Sequence, residues 1–161
     1  MFWRIFKKLD FKQLFGLFWM FLKNPMVAFP TVLATKKCMN IAYKEYGSKH
    51  HLSNKANAFR HALWVVLIIQ KSLKWRKNEE KIKAWALKFT SWHEDFSPNK
   101  PLERAMDLHN NKVGITFFDE VKGENEAASI TFLKEKASEA KQIKAVEETN
   151  NHKKSLVFIT E

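Results

Sequence analysis

Residues 62–69 read Ala-Leu-Trp-Val-Val-Leu-Ile-Ile, eight positions without a charge or a hydroxyl. Wound as an α-helix, this run is apolar on every side, and such a helix must be surrounded by other elements. It lies within a stretch, 54–75, that predicts one helix at the centre of the fold. Only 4 Gly and 4 Pro occur in 161 residues, too few for the turns of a many-stranded sheet. The neighbours read as helices too. Residues 31–46 form one, ended by Gly47. A polar loop at 48–53 leads to Ser53 or Asn54 as cap of the central helix. Residues 79–92 place Ile82, Trp85, Ala86 and Phe89 on one face. After a break at 97–101, Pro101 suits the first turn of a helix over 102–118. The expectation is an all-α, single-domain helical bundle.

Two segments flank that core domain, taken as 25–118. Residues 1–24 form a basic, aromatic, amphipathic helix. Residues 119–161 form a charged extension, with a helical stripe through Ile130, Leu133, Ala137, Ala140 and Ile143, and then a short extended tail at 156–159. Cys38 is the only cysteine, which excludes a disulfide-stapled scaffold.

Charge is divided unevenly. Residues 1–118 hold 21 Lys/Arg against 8 Asp/Glu, and residues 119–161 hold 7 against 9. A basic body attracts anionic lipid or nucleic acid without distinguishing them. The Phe- and Trp-rich N-terminus fits a membrane–water interface, or alternatively packs on the domain. It has no small-residue cleavage pattern. Its apolar runs, 14–22 and 26–34, are cut by Lys23 and Pro30, so no single span is expected. Lys71, Lys74, Arg76, Lys77, Lys81, Lys83 and Lys88 lie near Trp75 and Trp85, but no nucleic-acid motif accompanies them. The partner expected is an anionic membrane surface with a small-molecule or lipid substrate, and no specific nucleic acid. The location expected is cytoplasmic or peripheral to the inner membrane.

Three blocks hold the polar side chains capable of chemistry: Asn57-Ala58-Phe59-Arg60-His61-Ala62-Leu63-Trp64, His93-Glu94, and Met106-Asp107-Leu108-His109-Asn110-Asn111-Lys112-Val113-Gly114. Helical spacing puts Asn57, Arg60, His61 and Trp64 on one face, and Asp107, Asn110, Asn111 and Gly114 on another, with His109 turned away. Gly114 would let another backbone approach. Burying such groups unpartnered costs several kcal/mol each, so the pattern predicts a convergent cluster. His61, His93, Glu94 and Asp107 are the candidate catalytic residues. His61 or His93 would be a base oriented by Asp107 or Glu94. Asn57, Arg60, Trp64, Asn110 and Asn111 are the candidate substrate-binding residues. The same His and carboxylates could instead hold a divalent metal that activates water. No serine is placed as a triad nucleophile and Cys38 lies outside the blocks, which disfavours covalent catalysis. The order His61, His93-Glu94, Asp107 is similar to that of HD-type metal phosphohydrolases, but Glu94 stands where that family has Asp.

The three blocks resemble an uncharacterised bacterial helical domain, found in small stand-alone proteins and at the ends of secreted, toxin-like chains. The resemblance covers roughly 30–118. It implies a helical domain with an active site at Asn57, Arg60, His61, Trp64, His93, Glu94, Asp107, Asn110 and Asn111, and it implies no particular reaction.

Two functions compete. One is a small helical hydrolase at a membrane surface, acid/base or metal-assisted, acting on a lipid or another anionic phosphorylated or acylated compound. The other is a non-catalytic membrane-associated or partner-binding protein whose His/Arg/Asp/Asn cluster is a buried structural network.

Overall fold

The computed structural model describes residues 11–96 and 99–160. Six α-helices occur among them: α1 (Phe11–Lys23), α2 (Pro25–Tyr46), α3 (Lys55–Leu73), α4 (Glu79–Phe96), α5 (Pro101–Glu120) and α6 (Glu126–Ser138). The all-α expectation holds. The first ten residues of the amphipathic N-terminal helix read from the sequence lie outside the described residues.

Helix α3 is the centre. Its eight-residue apolar run is buried throughout, and α3 touches α2, α4, α5 and α6. Asn54 starts it, the side-chain Oδ1 accepting from the backbone N–H groups of Ala56 (3.0 Å) and Asn57 (3.2 Å). Those bonds satisfy donors that a helix start leaves open. Gly114 on α5 meets α3 at the closest point. A Cβ there would lie 3.1 Å from Ala62 Cα, Ala62 O and Val65 Cβ, the close approach its position predicted. Two indoles tie the bundle across α2: Trp64 donates to Thr35 Oγ1 at 2.8 Å and Trp85 to Thr31 Oγ1 at 2.9 Å.

Three boundaries differ from the sequence reading. Helix α2 begins at Pro25 and runs through Pro30. The N–H missing at Pro30 would have bonded the carbonyl of Met26, a half-exposed residue where water can take its place. Helix α4 continues a turn past Trp92, and that turn carries His93 and Glu94. The stripe through Ile130 and Leu133 stays helical only to Ser138. Beyond it, Lys141–Gln142 pairs in parallel with Val157–Phe158. Ile143 is fully buried beside Met106 and Val157 instead of on a surface helix. The tail is laid on the body: the N–H groups of Ile159 and Thr160 donate to Ser53 O at 2.8 and 3.0 Å.

Candidate functional site

The first turns of α3, the last turn of α4 and the start of α5 converge at one end of the bundle. A cleft of about 240 Å³ opens there, and Asn57, Arg60, His93, Glu94 and Asp107 form much of its wall. His61 lies behind, 1% exposed, and bonds Asn111. Five of the nine expected site residues therefore line the cleft, and two more, His61 and Asn111, support it.

The hydrogen bonds fix the state of His61. Arg60 can only donate, and its Nη2 lies 2.6 Å from His61 Nε2. Nε2 is thus the acceptor, and the proton sits on Nδ1, which donates to Asn111 Oδ1 at 3.1 Å. Burial holds the His61 imidazole well below its ordinary pKa, and the Arg60 charge adds to this. His93, edge-on to Trp64, is held down to about 4 for the same two reasons.

The carboxyls move the other way. Burial raises Glu94 above the usual carboxylate range, and the neighbouring Asp107 raises it further. Burial also raises Asp107, less far, because Arg60 partly offsets it. Oxygens of the two carboxyls lie within 4.8 Å of each other, and the larger shift at Glu94 leaves it an acid beside the Asp107 carboxylate at neutral pH. Asn99 Nδ2 donates to Asp107 Oδ2 at 2.9 Å. Asp107 Oδ1 stands 3.2 Å from His61 Nε2, whose lone pair Arg60 already occupies.

Among the described residues, Asn57 Oδ1, Glu94 Oε1 and Asp107 Oδ1 are buried and make no hydrogen bond. Asn111 Nδ2 is near Glu94 but outside hydrogen-bonding geometry. Buried polar atoms are nearly always paired in folded proteins, and here three unpaired oxygens belong to the wall of one cleft. His61, Glu94 and Asp107 each offer a ligand atom, and those atoms lie within 4.8 Å of one another. A divalent ion suits that donor set. The Arg60 guanidinium on His61 Nε2 works against it, by occupying the lone pair and by its charge.

Two expected binding residues lie elsewhere. Asn110 faces away from the cleft: its Nδ2 donates to Val157 O and its Oδ1 accepts from Val157 N, both at 2.9 Å. Trp64 is packed against Phe89 and His93, with its N–H committed to Thr35. Arg60 is partly committed as well, since Nη1 donates to His50 O at 2.9 Å. Cys38 is buried, its thiol pushed up to about 12, and it donates to Arg60 O. It is no nucleophile in this state.

Asn99, Glu103, His51 and Ser53 line the cleft without having been singled out. Asn99 and Glu103 flank Pro101, which opens α5, and Asn99 reaches Asp107 through its side-chain amide. Ser53 and His51 precede the cap of α3, which puts them at the same end as Asn57.

Fold and site together define a small all-α protein with a buried carboxyl–histidine–arginine cluster opening on a polar cleft. Residues 18–141 match the model of a domain of unknown function, DUF6973, and the chain belongs to that family. The match starts within α1 and ends in the first short strand, so it is wider than the span of the three blocks. No curated protein and no solved structure matches the chain.

Proposed function

We propose that the protein is a small helical hydrolase in which Asp107 and Glu94 serve as base and acid. The observation that carries this is the buried carboxyl pair, with unpaired oxygens on a cleft wall and environments that hold one group ionised and the other protonated. Such divergence between neighbouring carboxyls is how one site supplies both halves of acid–base chemistry near neutral pH. Asp107 takes a proton from water, and the water oxygen bonds to the carbon or phosphorus of an ester. The bond to the leaving oxygen breaks, and Glu94 gives its proton to that oxygen. A proton passed from Asp107 to Glu94, whose oxygens lie within 4.8 Å, then restores the site. His61, neutral and weakly basic, positions Asn111 and Arg60 and is not the base.

The cleft is smaller than the roughly 300–1,000 Å³ of a drug-sized pocket, and its wall is polar. A compact ester or phosphoester group suits it, so an acylated substrate would leave its chain outside. The charge of Arg60 favours an anionic reacting group, while Glu103 and Asp107 limit how much anionic charge the cleft accepts.

A panel of chromogenic acyl and phosphate esters tests this. Glu94→Gln and Asp107→Asn are each expected to lower turnover by about 10²–10⁴-fold, with melting temperatures within a few degrees of the parent. Unchanged turnover in both variants would overturn it. A second reading, a non-catalytic network that fixes helix packing, is favoured by the backbone bonds of Arg60 and Asn110. It predicts that both substitutions lower the melting temperature sharply, with no turnover to lose.

A further inference from the structure

Among the described residues, one face is apolar and exposed. On α1, Phe11, Phe15, Phe18, Trp19 and Leu22 are exposed, Phe11 by 84% and Phe18 by 60%. The opposite face of α1 holds Leu17 and Met20 against the core. Helix α2 carries the strip on through Met26, Phe29 and Leu33, all more than 40% exposed. Phe29 packs edge-on against Trp75, with ring centroids 5.7 Å apart, so the strip reaches the end of α3. Large contiguous apolar patches on a protein surface mark interaction sites.

The charges around the strip say what would cover it. Residues 11–44 contain no Asp or Glu; Lys23, Lys36 and Lys44 lie along them, while Lys37 is paired with Glu126 at 2.6 Å. Lys23 Nζ lies 5.0 Å from the centre of the Trp19 ring. Two basic clefts border the strip. One adjoins Leu33 and is lined by Lys36, Lys44 and Lys71. The other adjoins Val27 and is lined by Arg76, Lys81 and Lys88.

We infer that this face docks on an anionic lipid surface, with α1 and the start of α2 lying flat in the interface. Aromatic and aliphatic side chains would enter the headgroup–acyl boundary and the flanking cations would meet lipid phosphates. Among the described residues no helix is long and apolar enough to cross a membrane, which fits a helix lying in the plane. A second copy of the chain would set the same lysines against each other. A nucleic acid would leave Leu22, Met26 and Leu33 without an apolar partner. The inference stands on this surface alone, apart from any chemistry in the cleft.

Vesicle co-sedimentation of the full chain tests it, comparing neutral phosphatidylcholine with phosphatidylcholine mixed with phosphatidylglycerol. The expected result is binding to the anionic vesicles, weakened by added salt. Phe18→Gln/Trp19→Gln changes only exposed positions, and circular dichroism checks that it folds. It is expected to weaken binding by about tenfold or more. Lys36→Glu/Lys44→Glu is expected to remove the preference for anionic vesicles. The wild type staying in solution with anionic vesicles at low salt would overturn the inference. So would unchanged binding of the aromatic variant, which would reveal generic charge attraction. A wild-type dimer that the aromatic variant dissociates, without vesicle binding, would assign the face to a second copy.

Discussion

At Glu94 burial outweighs every neighbour, and the consequence is a stability that depends on pH in a definite direction. The Glu94 pKa is raised in the fold from 4.5 to about 8. The native state therefore holds a proton that the unfolded chain has released, and stability falls as pH rises between those values. The histidines act oppositely. His93 and His50 are held down to about 4 from 6.5, and His51, His61 and His109 are lowered as well, so stability rises with pH and the rise ends about one unit above 6.5. The raised pKa of Asp107 adds a fall that runs through about 6 and ends about one unit above it. Between pH 6.5 and 8 the Glu94 loss runs against the last part of the histidine gain, so it is read by comparison with Glu94→Gln, where the difference is expected to approach about 1.4 kcal/mol per pH unit. At this scale the sequence showed which residues meet and not the state they meet in. The spacing of Asn57, Arg60 and His61 was enough to gather them. Asn110 and Asn111 were put on one face, yet consecutive helical residues point about 100° apart, and only Asn111 turns to the site. The base expected at His61 or His93 is one we propose to place on Asp107, because the spacing did not show how deeply those rings are buried.

Among the elements, α3 was legible because an all-round apolar run admits only a central position, and Gly114 because a small residue facing that run implies close contact. Gly114→Ala puts a methyl against the backbone of Ala62, which cannot rotate away. Overpacking of this kind costs about 1–3 kcal/mol, set against a gain of up to about 1 kcal/mol in helix propensity. A thermal melt is expected to fall by a few degrees. A melt equal to or above the parent's would mean that α3 and α5 separate at no cost. The end of α6 was not legible. Ala140 and Ile143 continue a helical stripe, but Ile143 gains more by burial beside Met106 and Val157 than by staying on an exposed face. Propensity lost there to tertiary packing. Pro30 misled in the other direction, since one missing hydrogen bond near solvent does not end a helix packed along its length.

For the molecule as a whole, the extension beyond residue 118 belongs to the same body as the site. Asn110 bonds both backbone groups of Val157, while the tail that follows is tied to Ser53 at the entrance of α3. Asn110→Ala would leave a buried N–H and C=O of Val157 unpaired, a cost of about 2–4 kcal/mol. Urea unfolding should read that loss, together with faster amide exchange at Val157 and Ile159. Equal stability would show that water replaces the amide. A sequence cannot reveal such a clasp, because its two halves are 47 positions apart and one of them is main chain.

The most direct test of the proton held at Glu94 beside Asp107 is the unfolding free energy of the wild type and Glu94→Gln, by urea titration at pH 6.5 and at pH 8. A proton held by Glu94 predicts that the wild type loses up to roughly 2 kcal/mol relative to the variant over that interval, the lowered histidines acting alike on both. Parallel pH dependence of the two proteins would contradict it and leave Glu94 an ordinary ionised carboxylate.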